Sequence, residues 1–224
     1  MTRTVVSLFG SMARFIRTKW RHQAFSSGHY WKKRYSSGGN SGPGSYNHLA
    51  LFKAEILNRF VAMHSVKSVV EFGCGDGNQL RHAAYPTYVG YDISAEAVKK
   101  CHHSFAGDTS KHFALLDDYD GAKAELSMSL DVVFHLIEDD VFDQYMKRLF
   151  DAADRFVAIY SSNWNEQPDN KPDHIRHREF TRWVSIHRPD WKLIEVVPNK
   201  YPYDGDYTRT SFSDFYFFEY VPTK

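Results

Sequence analysis

Val69-Val70-Glu71-Phe72-Gly73-Cys74-Gly75-Asp76-Gly77-Asn78 is the stretch on which the reading of this chain turns. A short apolar run ends in three glycines at alternate positions, and polar residues follow where a helix can start. This is the pattern of a buried strand entering a glycine-rich turn at the carboxyl edge of a parallel sheet, where backbone amides approach a ligand closely. The next strand, Tyr88-Val89-Gly90-Tyr91, ends in Asp92, with Ile93 after it. A carboxylate there suits paired hydrogen bonds to the two ribose hydroxyls of a nucleoside cofactor. The plainer role is a surface acid or the cap of the following helix, but Ser94 is available as that cap.

Two details separate the nucleoside cofactors. Dinucleotide sites use G-x-G-x-x-G with a pyrophosphate on the helix N-terminus. Here the glycines fall as Gly73-x-Gly75-x-Gly77, and Asn78 stands where the third fingerprint glycine belongs. Glu71, two residues before the first glycine, would repel a pyrophosphate. An acid at that position suits a cation instead, such as the sulfonium and amino group of S-adenosylmethionine (SAM). Charge therefore favours SAM over NAD.

Outward from this stretch, apolar runs alternate with helical patterns. The spacing predicts strands at 66–72, 88–92, 113–116, 126–130, 156–161, 193–197 and 214–221, with helices near 79–84, 95–104, 139–152 and 177–187. Such alternation implies a doubly wound α/β fold with a mostly parallel seven-stranded sheet. Only a loop joins the last two runs, so the final strand is expected to be antiparallel to its neighbour. Upstream, Ser45 is placed to cap a helix whose Leu49, Phe52, Ile56 and Phe60 line one face. Residues 1–45 are read as an N-terminal helical cap, basic helix plus Gly/Ser-rich loop, on a catalytic unit at 46–224.

At 224 residues the chain has room for one sizeable core. A net charge of +1 argues against a dedicated nucleic-acid binder. Cys74 and Cys101 are too few for a disulfide framework, which makes a reducing, cytoplasmic setting the default. The charge is unevenly placed, since Arg3, Arg14, Arg17, Lys19 and Arg21 precede the first acid, Glu55. Val5, Leu8, Phe9 and Met12 recur among them at helical spacing. A helix packed on its own domain or a second subunit, a membrane-surface helix and a transit segment are the three readings.

The run E-F-G-C-G-D-G followed by Y-D-I-S resembles the first two motifs of class I SAM-dependent methyltransferases. Asp131-Val132-Val133-Phe134-His135-Leu136 is similar to that family's fourth-strand motif. The resemblance covers roughly residues 66–161 and the final hairpin. It implies that Glu71, Gly73, Cys74, Gly75, Asp76 and Gly77 shape the pocket for the methionine part of SAM, and that Asp92 and Ile93 flank the ribose. Asp117 or Asp118 would meet the adenine amino group, Asp117 foremost because it directly follows the apolar run, and Leu130 and Asp131 would lie near the methionine amine. His135, just beyond the fourth strand, is placed by the same analogy as a base, with a merely orienting core histidine as its counterpart.

The acceptor is less legible. After the fifth strand come Asn163 and the cluster His174-Ile175-Arg176-His177, in a loop expected to overhang the site. His174 or His177 could serve as base, and Arg176 and Asn163 could hold an anionic or hydroxyl-rich substrate. Alternatively Asp131, His174 and His177 could hold a divalent metal. Tyr35, at the end of the patch His29-Tyr30-Trp31-Lys32-Lys33-Arg34-Tyr35, could stack on a sugar or base, and the Gly/Ser loop at 36–45 could take a phosphate. Tyr201, Tyr203 and Tyr207 serve either a substrate wall or a homodimer interface. The expected activity is methylation of a small polar acceptor, foremost a hydroxyl on a carbohydrate or phosphorylated metabolite, with small-molecule N-methylation and RNA methylation as rivals.

Overall fold

The computed structural model describes residues 25–169 and 171–222, so the basic helix expected upstream lies outside the described residues. Seven strands form one sheet: β1 (Ser68–Phe72), β2 (Thr87–Asp92), β3 (Lys111–Leu115), β4 (Ala124–Leu130), β5 (Ala153–Ser161), β6 (Trp191–Val197) and β7 (Asp214–Tyr220). Their order is β3-β2-β1-β4-β5-β7-β6. The first five are mutually parallel, and β7 runs antiparallel between β5 and β6. The helices are α1 (Ser27–Ser36), α2 (Asn47–Met63), α3 (Ala95–Ser104), α4 (Asp139–Asp151) and α5 (Phe180–His187).

Consecutive strand residues point to opposite faces, and in the central strands both faces are apolar and covered, whereas β6 at the edge is largely exposed. Val69, Leu126, Phe156 and Phe217 join the core beneath α2, with Phe52, Ile56 and Phe60. Their neighbours Val70, Val157 and Phe218 join the opposite core with Tyr145, Met146 and Leu149 of α4 and Phe180 of α5. Burial on both sides explains the apolar run Phe156–Tyr160 in β5, while in β1 only the buried Glu71 interrupts the apolar residues from Val69 to Phe72. In α4, Phe142, Tyr145, Met146, Leu149 and Phe150 form one buried stripe, while Asp139 and Asp140 occupy the first turn, where the helix dipole favours acids.

Four expectations change at the level of elements. The helix expected near 79–84 is only a short 3-10 turn at Gln79–His82. The aromatic and basic patch is itself a helix, α1, capped by the Ser26 side chain, which accepts from His29 N at 3.3 Å. It has no clean apolar period because it contacts the body at several places rather than along one stripe. Ser45 does not cap α2. It lies in a single turn at Pro43–Ser45, its carbonyl accepts from the Asn78 side chain at 2.7 Å, and α2 starts after Tyr46 without a side-chain cap. Finally, the helix expected from 177 begins at Phe180, because Asn163 Oδ1 accepts from Thr181 N at 3.1 Å and holds its first turn.

Candidate active site

At the carboxyl edge of the sheet, the loops after β1, β2, β3 and β4 surround a cavity of about 380 Å³, roofed by α1 and the Gly/Ser loop. Its wall runs across the sheet in strand order. Asp92 ends β2 and Ile93 follows it, Glu71 lies in β1 with Gly73 and Gly75 in the turn after it, and Leu130 ends β4 with Asp131 next. Leu116, after β3, and Leu136, Val141 and Tyr145, at the start of α4 and within it, line the same cavity.

The glycine turn is built for close approach. Gly73, Gly75 and Gly77 all have positive φ, at 85°, 57° and 72°. A Cβ on Gly73 would stand 2.4 Å from a Val132 methyl, and one on Gly75 would stand 2.3 Å from Ser41 Oγ and 2.7 Å from the Tyr35 hydroxyl. Side chains at these positions would push the turn off the fourth strand and off the cap. The Gly75 amide donates to one oxygen of Asp92 at 2.9 Å, and Ser94 N donates to the other at 2.8 Å. Burial still dominates, and raises the Asp92 carboxyl to about 6. Glu71, buried beneath the cavity floor, takes the Tyr88 hydroxyl at 2.6 Å. Desolvation lifts its carboxyl to about 7, against the lowering effect of that hydrogen bond and of the Lys53 charge.

The structure brings Glu71, Gly73, Cys74, Gly75, Asp92, Ile93, Leu130, Asp131, Tyr35 and His135 to the cavity wall. Tyr35 is buried against the glycine turn, its hydroxyl 2.8 Å from Ser41 Oγ. Other expected residues are engaged elsewhere. Asp76 accepts from Ser41 N at 3.0 Å and from the Tyr46 hydroxyl at 2.8 Å, and so clamps the cap onto the glycine turn. That acid at the loop also disfavours the phosphate reading of the Gly/Ser segment. Gly77 packs against Phe105 and Cys101 rather than the cavity. Asp117 is exposed in the turn after β3, and its neighbour Leu116 takes the place at the wall.

The histidine and arginine cluster is likewise structural in its visible contacts. Arg176 donates to the Ile137 carbonyl at 2.7 Å and pairs with Asp139 at 2.9 Å, pinning its loop to the start of α4. His177 is buried, with Nδ1 2.7 Å from Ser162 Oγ. His174 stacks on Tyr30 at 4.6 Å and on His135 at 5.3 Å. Asn163 is spent on α5 through Thr181. Among the described residues no three His, Cys, Asp or Glu side chains form a metal-binding group, so the set Asp131, His174 and His177 is not assembled.

His135 alone of the three histidines lines the cavity. Its Nδ1 lies 2.8 Å from the His174 carbonyl. A carbonyl only accepts, so Nδ1 carries the proton and Nε2 is left as an acceptor. Burial pushes its pKa down to about 3, with the nearby His174 and Arg34 charges acting in the same direction. The ring is therefore neutral at physiological pH.

Three cavity features were not read from the sequence. Lys53, on α2, is 1% exposed and pairs with Asp131 at 2.8 Å. Gln79 lines the same wall, and its amide nitrogen donates to the Ala50 carbonyl at 3.0 Å. Ser27, at the start of α1, donates from its backbone N to Glu138 at 2.9 Å and from its hydroxyl at 2.6 Å, latching the roof to the far rim. Lys53 sat inside an apolar helical period and carried a signal there, a charge among Leu49, Phe52 and Ile56. Ser27 and Glu138 carried none, being far apart in the chain.

Against solved structures, the chain superposes on magnesium protoporphyrin IX methyltransferase (ChlM) from Synechocystis PCC 6803 with bound SAH, with a TM-score of 0.60 at 17% identity over 88% of this chain and 95% of that one. The methyltransferase domain of bacterial CtHen1-C matches with a TM-score of 0.58 at 15% identity, over 76% of this chain and 98% of that one. This chain has the fold of class I SAM-dependent methyltransferases. A putative RNA methyltransferase from Pyrococcus horikoshii, PH1948, also matches, with a TM-score of 0.57 at 14% identity over 86% and 90% of the two chains. No family model matches the sequence, and no curated protein does. The neighbours include proteins named for a porphyrin and for RNA, so the expectation against nucleic acid draws no support from them. Among the described residues no helix is long and apolar enough to cross a membrane.

Proposed function

We propose that this protein transfers a methyl group from SAM to a small polar acceptor, foremost a hydroxyl on a carbohydrate or phosphorylated metabolite. The observation that carries the reading is the single cavity in which a glycine turn, a ribose-type acid (Asp92) and a buried acid (Glu71) line up along the edge of β2 and β1. SAM fits these residues. The Asp92 carboxylate would take the ribose hydroxyls, Leu116, Ile93 and Leu136 would flank the adenine, and Glu71 would face the cationic end. When bound, the cofactor supplies an activated methyl on a sulfonium leaving group.

The chain's own residues then have two tasks, alignment and proton handling. Trp31 packs edge-on against His135 at 4.7 Å and fixes the ring at the cavity wall. Neutral His135 offers Nε2 as the acceptor of a hydrogen bond from a hydroxyl nucleophile. With so low a pKa it takes the proton only as the hydroxyl acidifies on attack. The latch of Ser27 on Glu138 and the clamp of Asp76 on Ser41 hold a roof that suits a small acceptor and excludes water. Residues 25–45 serve as that cap on the catalytic unit that follows.

A second reading, RNA methylation, is favoured by one observation: the acid-free, arginine-rich start of the chain. Titration calorimetry with S-adenosylhomocysteine and, separately, NAD tests the cofactor. Binding of NAD alone, or of neither, would end the methyltransferase reading. Labelled methyl transfer to a panel of sugar phosphates, nucleotide sugars and short RNA then chooses between the acceptors.

A further inference from the structure

β6 ends the sheet, and its outer edge has no strand beside it among the described residues. Leu193, Ile194 and Val196 in this strand are 46%, 41% and 44% exposed. No other strand exposes more than one large apolar residue, Tyr220 of β7. An edge that faces water is commonly protected by a lysine or by a bulge that spoils further pairing. β6 has both, Lys192 and a bulge between Leu193 and Glu195, but their placement has another consequence.

Directly opposed residues of paired strands share a face of the sheet. Leu193 is opposite Phe218 and Val196 opposite Tyr216, which places both with buried Trp191 on the face covered by α4 and α5. Glu195 is opposite Phe217, on the face covered by α2, and Arg59 of α2 pairs with its Oε1 at 2.8 Å. Lys192, between Trp191 and Leu193, falls on that same α2 face. In a regular strand, residues three apart point to opposite faces. The extra residue of the bulge is what brings Lys192 and Glu195 to one side.

A two-fold related copy of the strand matches this pattern in one register. With the axis between Leu193 and Ile194, Trp191 is opposite Val196 of the partner subunit, Lys192 opposite Glu195 of the partner subunit, and Leu193 opposite Ile194 of the partner subunit. Charge meets opposite charge on the α2 face, and apolar residues meet apolar residues. Bulge lies against bulge, so the register carries through it. The charges also complete each other. Lys192 has no ion-pair partner among the described residues, and Arg59 occupies one oxygen of Glu195, which leaves Oε2 for a second cation.

We propose that β6 is a homodimer interface, where a second copy of this chain adds its own β6 antiparallel and continues the sheet from one subunit into the other. One strand supplies both members of every pair, as a two-fold interface requires. A lipid surface would meet one charge of each sign and gain from neither. The proposal goes beyond the methyltransferase reading and is independent of it, because β5 and β7 separate β6 from the cavity edge at β4. It places the interface on this strand rather than on Tyr203 and Tyr207, which stack on each other at 4.8 Å.

Sedimentation equilibrium of the full chain is expected to give twice the chain's mass, with a dissociation constant of roughly 10 µM or tighter. Lys192→Glu sets glutamate against glutamate on both sides of the axis, and Glu195→Lys sets lysine against lysine. Each should raise the dissociation constant at least roughly tenfold, with thermal melting as the control for folding. Mixed in equal amounts, the two variants should recover the dimer, since every glutamate then meets a lysine of the other chain. A merely local role for either residue gives no association on mixing. Leu193→Asp added to both variants should abolish that recovery. A wild type that stays monomeric up to roughly 100 µM overturns the proposal. So does a dimer that neither single variant weakens, or a mixture that stays monomeric. Slow amide exchange along β6 in a monomeric wild type would identify another segment of the same chain as the cover, and would overturn it too.

Discussion

Glu71→Gln separates the energetic cost of this site from its use. In the free protein, burial holds the Glu71 carboxyl at about 7, against 4.5 for an ordinary glutamate. A carboxyl whose folded value is raised binds an extra proton in the native state across that interval. Its stabilising contribution is therefore complete below the unfolded value and is lost as pH rises through about 7. A shift of this size corresponds to about 3 kcal/mol in full. Between pH of about 5.5 and about 8.5 the loss from this group alone is about 2 kcal/mol. Asp92, raised to about 6, adds about 1 kcal/mol in the same direction, and that part is common to wild type and variant. The quantity to measure is the difference between the two pH slopes, which cancels whatever constant penalty the amide carries against Tyr88. Urea denaturation of ligand-free protein at the two pH values should show wild type losing about 2 kcal/mol more than Glu71→Gln. With SAM bound, the wild-type slope should flatten, because the sulfonium charge draws the carboxyl down, and SAM affinity should rise as pH passes about 7. Parallel slopes for the two free proteins would refute the claim that a desolvated Glu71 limits stability above neutrality.

Asp92→Asn should keep an acceptor for Gly75 N yet lower S-adenosylhomocysteine affinity by roughly 10- to 100-fold, the scale of a charge-assisted hydrogen bond; calorimetry showing unchanged affinity would remove Asp92 from the ribose. Gly75→Ala places a methyl against Ser41 and Tyr35 at φ 57°, so thermal denaturation should register a loss of roughly 1–3 kcal/mol together with lost ligand binding. Glu138→Ala cuts the Ser27 latch and should raise the dissociation rate of bound S-adenosylhomocysteine by about fivefold or more in stopped flow, with a smaller change in association.

The sheet was legible in the chain because it is buried on both faces. The apolar run Phe156–Tyr160 is strand-length, rich in aromatic and β-branched residues and bounded by Arg155 and Ser161, and β1 stops at Gly73, so length and punctuation mark both as buried strands. The glycine turn and Asp92 were legible for a related reason. Close backbone approach and a carboxylate at a strand end are demands on residue type at fixed local spacing, and local spacing is what a sequence displays. Element ends were less secure wherever a distant side chain decides them, as Asn163 does for α5 and Asn78 for the turn at Ser45.

Tertiary structure alone decided which polar residues reach the cavity. Arg176, His177 and Asn163 have the chemistry of a substrate site, but their donors and acceptors are taken by Ile137, Ser162 and Thr181, partners brought near only by folding. Lys53 has the sequence context of a core helix, and it lies at the cavity because α2 crosses the end of β4, where Asp131 waits at φ 58° to receive it. The roof, too, is a long-range construction, since Ser27 and Glu138, or Ser41 and Asp76, meet only once the sheet has set the distance between them. Residue type and local spacing therefore determined the scaffold and the cofactor class, while the pairing of buried polar groups across the folded chain determined what is left free to act on a ligand.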